Sequence, residues 1–271
     1  MAAINKFYSD MFKLASEKRL WLNPLGEVGG YKIWFIRTRL NADHHRNPRM
    51  LVVAGFHGEE KAGPYAILEW LKTCDAEALK HYDISFIPIV NPIGFANGTR
   101  YNSWGEVSNC GFCHPERHDK PSREGRILIA NIDMLRAAAA DGFLSLHEDI
   151  GERRYYAYSF EDGAEPGEFT AGILKTLGKH FKTYIDGESI WLDTTAKKDR
   201  GPYVHKGIVY RHCDGSFEDW MFHLGVPRVA VSETPGMYRL KRRVTAGADV
   251  IETFIQLNLD AHDKTIKAKK Q

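Results

Sequence analysis

Long apolar runs are missing from this sequence of 271 residues. The best of them, such as Met50 to Phe56, have the length of a strand and fall far short of the roughly 20 apolar residues that a membrane-spanning helix needs. The opening segment, Met1 to Arg19, intersperses Asn5, Lys6, Ser9, Asp10 and Lys13 among apolar positions. That pattern lacks the continuous apolar stretch of a secretory signal and predicts an amphipathic helix, so a cytoplasmic protein without membrane contact is expected. Charge of one sign is also lacking. With 37 basic and 35 acidic residues the net charge is +2, which gives no electrostatic reason to expect a nucleic acid or an acidic partner. Cysteine is sparse: Cys74, Cys110, Cys113 and Cys213 are too few for a disulfide framework, and reduced thiols are expected. Cys110 and Cys113 form one CxxC, with His114 and His118 close behind, a pattern that reads as a structural zinc site or a redox pair. Without a second well-spaced ligand pair it is a weak signal for either. Linkers, repeats and low-complexity segments are absent too, so residues 1–271 are expected to form one domain.

What is there is an alternation of strand and helix patterns. Tyr31 to Arg37 alternates as a strand, Met50 to Phe56 reads as a buried strand, and Ala62 to Lys72 reads as a helix packed on it. Asp83 to Val90 reads as a strand that Asn91-Pro92-Ile93-Gly94 stops. A long irregular stretch from Gly98 to about Ser122 follows, and a loop of that length usually serves a function. Glu124 to Ala140 reads as one helix, Phe143 to Leu146 as a short buried strand, and Gly167 to Phe181 as a helix. Phe217 to Leu224 is helical, Arg228 to Ser232 is a strand, and Ala246 to Leu257 closes as a helix, with Lys264 to Lys270 as a solvated basic tail. This order predicts an α/β fold with a mostly parallel, mixed sheet and helices on both faces.

Three polar residues directly follow three of these strands: His57, His147 and Glu233. In an open α/β sheet, groups at the carboxyl ends of neighbouring parallel strands converge in space, and ligands bind there. His57 and Glu60 form an HxxE pair whose spacing returns imidazole and carboxylate to one side of a turn entering a helix, where both can hold one ion. With His147 they make a His, Glu, His set suited to catalytic zinc, leaving a further position for water whose pKa the metal draws towards about 7. Glu233 interrupts an apolar strand, where a buried carboxylate is costly without a partner.

Taken together, the segments His57-Gly-Glu-Glu60, Asn91-Pro-Ile-Gly94, Arg100-Tyr-Asn102, Leu146-His147, Gly215-Ser-Phe-Glu-Asp-Trp220 and Ser232-Glu233-Thr234 resemble, in order and spacing, the zinc metallocarboxypeptidase (carboxypeptidase A-like) family. The resemblance runs from about Leu51 to Glu233. It implies one zinc ion held by His57, Glu60 and His147, with Glu233 as general base and acid and Arg100 as the charged donor that stabilises an oxyanion. It also implies substrate contacts at Asn109, at Tyr210, which stands one residue from the aligned position occupied by Arg211, and at Glu218 at the base of a side-chain pocket. There a carboxylate favours an amine-bearing group. One departure stands out. Where the family carries an arginine that clamps a terminal carboxylate, this sequence has Cys110, and a thiol cannot make that bidentate pair. Arg117, Arg123, Arg153 and Arg154 are candidates to replace the clamp. Glu59, Glu148 and Asp149 add negative charge, read as groups that orient the histidines or, alternatively, as ligands of a second ion.

Three functions stay open on the sequence. One is a zinc peptidase acting on a small or cell-wall-type peptide, which the Gly215 to Trp220 motif favours. Another is a zinc deacylase of N-acyl amino acids, related to aspartoacylase and succinylglutamate desuccinylase. The third is a catalytically silent binding protein of the same fold, favoured by Cys110 and opposed by Glu233.

Overall fold

A computed structural model describes every residue except 1, 39–46, 78, 80, 81, 115–119, 162–166, 188–203, 211, 212 and 269–271. The described residues form one nine-stranded mixed sheet with helices on both faces. Its strands are β1 (Trp21–Val28), β2 (Tyr31–Arg37), β3 (Arg49–Ala54), β4 (Asp83–Ile87), β5 (Gly142–Asp149), β6 (Tyr156–Phe160), β7 (Val204–His205), β8 (Ile208–Tyr210) and β9 (Val229–Pro235). In space they run β1-β2-β4-β3-β5-β9-β6-β8-β7. The central pairs β4/β3, β3/β5 and β5/β9 are parallel, and antiparallel pairs flank them.

Strand alternation divides the core into two layers. Met50, Val52 and Ala54 of β3 point to one face with Leu144 and Leu146 of β5, under helices α1 (Ala2–Glu17), α2 (Ala62–Thr73), α6 (Glu168–His180) and α8 (Leu240–Ala268). Leu51, Val53 and Phe143 point to the other, under α4 (Arg123–Ala130), α5 (Ile132–Ala138) and α7 (Phe217–His223). A short helix, α3 (Pro92–Asn97), begins at the end of the β4 connection.

Several expectations are corrected. The helix expected over Glu124 to Ala140 is two, because Asn131 leaves helical geometry and its side-chain amide donates to the Leu25 and Ile127 carbonyls, at 3.1 and 2.8 Å. The β4 strand stops at Ile87, before Pro88, which has no N–H for the ladder. The last helix is much longer than Ala246 to Leu257 and takes in most of the expected basic tail, reaching Ala268. Strand β1 escaped notice because Pro24 and Gly26 interrupt it at a register shift, which only an edge strand tolerates. Strand β6 was missed although Tyr156, Tyr158 and Phe160 alternate as a strand should.

The first turn of α2 lies directly on the sheet at Gly63, where a Cβ would stand 2.9 Å from the Leu146 carbonyl oxygen and 3.1 Å from the Ala54 Cβ. No side chain fits between helix and sheet there. Gly63→Val is expected to cost about 1–3 kcal/mol through overpacking, read from chemical denaturation, and unchanged stability would mean that the helix lifts off freely.

Candidate metal centre

The parallel strands end where the sequence places its polar residues. Gly55, at a φ of +69°, turns the chain away from β3 so that His57 sits in the turn leading to α2. His147 and Glu233 lie near the carboxyl ends of β5 and β9, and the ladder pairs them directly. His57, Glu60 and His147 are buried, and their ligand atoms lie within 4.8 Å of one another. Nδ1 of His57 is 2.6 Å from Oε1 of Glu60, and Nδ1 of His147 is 2.9 Å from Oε2. One carboxylate thus bridges two imidazoles, each presenting the same ring nitrogen.

The loop that holds His57 leans on the loop that holds Arg100. A Cβ on Gly58 would fall 1.9 Å from the Gly94 carbonyl carbon, so backbone meets backbone there. Asn91 organises the second loop: its Oδ1 accepts from Gly94 N–H at 2.8 Å, capping α3, and its Nδ2 donates to the Arg100 carbonyl at 3.3 Å. The Asn91 N–H in turn donates to the Gly55 carbonyl at 2.8 Å, tying both loops to the same strand end. Arg100 Nη1 then lies 3.7 Å from Glu60 Oε1.

Around the three central residues, Glu60, Glu148, Asp149 and Glu218 each have a partner within the protein. The Glu148 N–H donates to Glu60 Oε2 at 3.2 Å. The Glu148 side chain turns away, accepting from the Ala62 N–H at the start of α2 and pairing with Arg243 of α8. Asp149 accepts from the Tyr156 hydroxyl at 3.1 Å. Neither belongs to a metal-ligand cluster among the described residues, so the second-ion reading of Glu148 and Asp149 finds no support there. Glu218 is 1% exposed and accepts from Nε2 of His147 at 3.1 Å and from Nδ2 of Asn109 at 2.9 Å. Asn109 also accepts from the Phe217 N–H at 2.9 Å. Asn109 and Glu218 both line the cleft, but their polar atoms meet each other and His147. Tyr210 has its backbone in β8, and its side chain, like Arg117, Arg211 and His118, lies outside the described residues.

Electrostatics follow from burial. Burial opposes ionisation of Glu60, yet His57 and His147 outweigh it and hold the carboxyl at about 2. Burial keeps His57 below its ordinary value, the neutral form a metal requires. Burial also works against charge on His147, but Glu60 and Glu218 on its two sides raise it well above the ordinary value. A positive charge is therefore already favoured between these carboxylates. Burial, aided by Glu60 and Asp149, pushes the Glu233 carboxyl well up, against His147 and Arg100. Two imidazoles and a carboxylate in one buried cluster fit a divalent transition-metal ion, with three protein donors and a cleft in front of them.

That cleft measures about 530 Å³ and is walled by Tyr156, Tyr158 and Phe160 of β6, with Cys110, Asn109 and Val107 from the long loop. Among the described residues Arg100 is its only arginine or lysine, against Glu59, Glu60, Glu148, Asp149, Asp214, Glu218 and Glu233. Of the expected substitutes for the missing clamp, Arg117 lies outside the described residues, and Arg123, Arg153 and Arg154 do not line it. Arg123 pairs with Glu106 and lies over the Trp104 ring, Arg154 pairs with Glu152, and Arg153 is likewise outside the lining.

A family profile for the succinylglutamate desuccinylase/aspartoacylase catalytic domain matches residues 46–159, the segment that carries His57, Glu60 and His147. A protein described as a putative metallopeptidase from Shewanella amazonensis SB2B is 34% identical, with 94% of this chain and 92% of that chain covered and a TM-score of 0.83. The chain belongs to one family with this Shewanella protein. A second such relative, from Shewanella denitrificans OS217, is 35% identical, with 93% and 89% covered and a TM-score of 0.82. A metallo-carboxypeptidase from Burkholderia cenocepacia shares the fold at a TM-score of 0.67, with 13% identity and 93% and 68% covered. No curated protein matches the chain. The expected likeness to carboxypeptidase A therefore holds for the fold, while the matching profile is that of the desuccinylase and aspartoacylase branch.

The Glu218 contact to His147 gives a measurable consequence. Partners of a ligating histidine's other nitrogen typically set metal affinity by about 10 to 100-fold. Glu218→Gln is expected to weaken metal binding by that factor in a chelator competition, with the fold retained. Affinity within twofold of the parent would show that the contact does not orient the ring.

Proposed function

We propose that the protein is a zinc-dependent hydrolase of an amide bond in a small, amine-bearing peptide-like substrate. The carrying observation is the acidic cleft in front of the His57, Glu60 and His147 cluster, in which Arg100 is the single arginine or lysine among the described residues. A substrate with several carboxylates would meet repulsion there, whereas an ammonium group would find compensation. A volume of about 530 Å³ suits a di- or tripeptide-sized molecule. Cys110, which lines the cleft in place of a guanidinium, supports a substrate recognised through something other than a clamped terminal carboxylate.

In this reading His57, Glu60 and His147 hold the zinc ion. When bound, zinc supplies Lewis acidity, drawing the pKa of water towards neutrality and polarising a carbonyl. Glu233 accepts a proton from the attacking water and passes it to the leaving amine. The burial that raises its affinity for a proton suits both halves of that transfer, once a nearby cation offsets part of the shift. Arg100 donates to the oxygen on which negative charge develops. Asn109 and Glu218 hold His147 in orientation.

The matching family profile favours a second reading, cleavage of an N-acyl amino acid. A panel of amine-bearing dipeptides and of N-acetyl and N-succinyl amino acids separates the two. Preference for the acyl amino acids by tenfold or more in kcat/KM would overturn the peptide reading. Glu233→Gln is expected to lower kcat by about 10² to 10⁴ with bound metal unchanged. Full activity in that variant would remove Glu233 from the reaction, and a metal-loaded protein inactive on every substrate would favour the silent binding protein.

A further inference from the structure

A second cluster of ligand side chains surrounds Asp219 of α7, apart from the His57 set. Cys113 Sγ lies 3.5 Å and His114 Nε2 3.1 Å from Asp219 Oδ2, and these three ligand atoms fall within 4.8 Å of one another. One helical turn on, His223 Nε2 lies 3.2 Å from Asp219 Oδ1. The rings of His114 and His223 meet edge to face, with centroids 5.2 Å apart.

We propose that Cys113, His114, Asp219 and His223 form a second, structural zinc site that fastens the long loop to helix α7.

The distances fit the metal. With zinc bonds of about 2.0–2.1 Å to nitrogen or oxygen and about 2.3 Å to sulfur, a tetrahedron has N···O edges of about 3.4 Å and S···O edges of about 3.5 Å. The observed separations from Asp219 Oδ2, 3.1 Å for His114 and 3.5 Å for Cys113, lie close to those edges, and His223, beside that three-residue cluster, stands 3.2 Å from the second carboxylate oxygen, Oδ1. One thiolate, two imidazoles and one carboxylate make a closed set of four, the composition of a structural site, and the sulfur selects for zinc among common divalent ions. The bland account of Asp219 is a capping residue, since Oδ2 also accepts from the Gly215 N–H at 3.0 Å, next to the Ser216 cap of α7. Capping explains the carboxylate. It does not explain why a thiol and two imidazoles converge on it from two separate segments. His114 holds a φ of +56°, a left-handed conformation disfavoured for a residue with a Cβ, and strain of this kind collects where a side chain must be aimed.

The position also gives the ion a task. Between Cys113 and α7 run the Phe112 N–H bond to the Gly215 carbonyl at 3.0 Å and the two bonds of Asn109 to Phe217 and Glu218. This is the seam through which Glu218 reaches His147. The site differs from the CxxC reading, because Cys110 lines the cleft instead.

The test is made on the full chain, stripped by chelator under reducing conditions and reloaded with Co²⁺. The expected result is two equivalents of metal per chain and a thiolate-to-cobalt charge-transfer band in the near ultraviolet. The His57, Glu60 and His147 set contains no sulfur and cannot give that band. Cys113→Ser is expected to lose the band and one equivalent, and Cys110→Ser to keep both. His223→Ala, at a half-exposed position, covers the case in which Cys113→Ser fails to fold, and is expected to lose the second equivalent. A single equivalent without the band in the parent protein, or a band that survives Cys113→Ser, would overturn the proposal. Either result leaves the His57 centre untouched.

Discussion

Everything near the sheet edge depends on the Glu60 carboxylate. Its two oxygens face His57 and His147 at 2.6 and 2.9 Å, and a backbone N–H from Glu148 supports it from behind. Removing these groups from water costs several kcal/mol per ion, and good geometry only offsets that cost. Well-packed apolar residues of the same size would serve stability as well. A buried carboxylate between two imidazoles is therefore explained by what it binds, and the glycines that let the loops approach exist to keep that carboxylate in place. Gly58 touches Gly94 backbone to backbone, and Gly63 lets α2 lie on the sheet. The same geometry that would be a defect in a purely structural core here fixes three donors in one small volume.

The parts of this arrangement that follow from local pattern were legible in the sequence. Strands β3, β5 and β9 are apolar runs in which a polar residue stands out, and parallel strands bring such residues together whatever lies between them. The HxxE spacing is likewise local. What escaped depends on contacts between distant segments. Nothing in the string of residues says that Glu148 turns its side chain to Arg243 and gives only its N–H to Glu60, or that Glu218 faces His147 across 71 positions. The helix over Glu124 to Ala140 failed because Asn131 bonds to Leu25, a partner on an edge strand that itself went unseen. The aromatic wall of β6 is a different case: the alternation of Tyr156, Tyr158 and Phe160 is itself a local strand pattern.

The CxxC motif illustrates the same limit from the other side. Read as a string, Cys113 invites a search for ligands nearby, at Cys110 or His118. In the fold, Phe112 inserts among Phe217 and Trp220, with ring centroids 5.1 and 5.8 Å away, and that packing carries Cys113 and His114 onto α7. Ligand sets are assembled by packing, so spacing rules find those made within one hairpin or turn and miss those made by docking a loop on a helix. His223 lies one turn from Asp219, a spacing that marks two side chains on one helix face, but nothing in sequence ties that face to residue 113.

Charge works at two scales here, and only the local one bears on chemistry. A net charge of +2 over the chain gives almost no long-range field. Inside the cleft the balance is reversed, with seven acidic residues lining it and Arg100 as the described arginine or lysine. Screening over a Debye length of about 8 Å hides the distant surface charges from a molecule in the cleft, but it does not hide groups that share a water-poor cavity with it. Part of the acidic excess is already answered within the protein, since Glu148 pairs with Arg243 and Glu60 and Glu218 flank His147. A divalent ion answers more of it. The other acidic groups of the lining, Glu59, Asp149, Asp214 and Glu233, add to the electrostatic demand that a substrate must meet. An ammonium group meets it, and a dicarboxylate increases it.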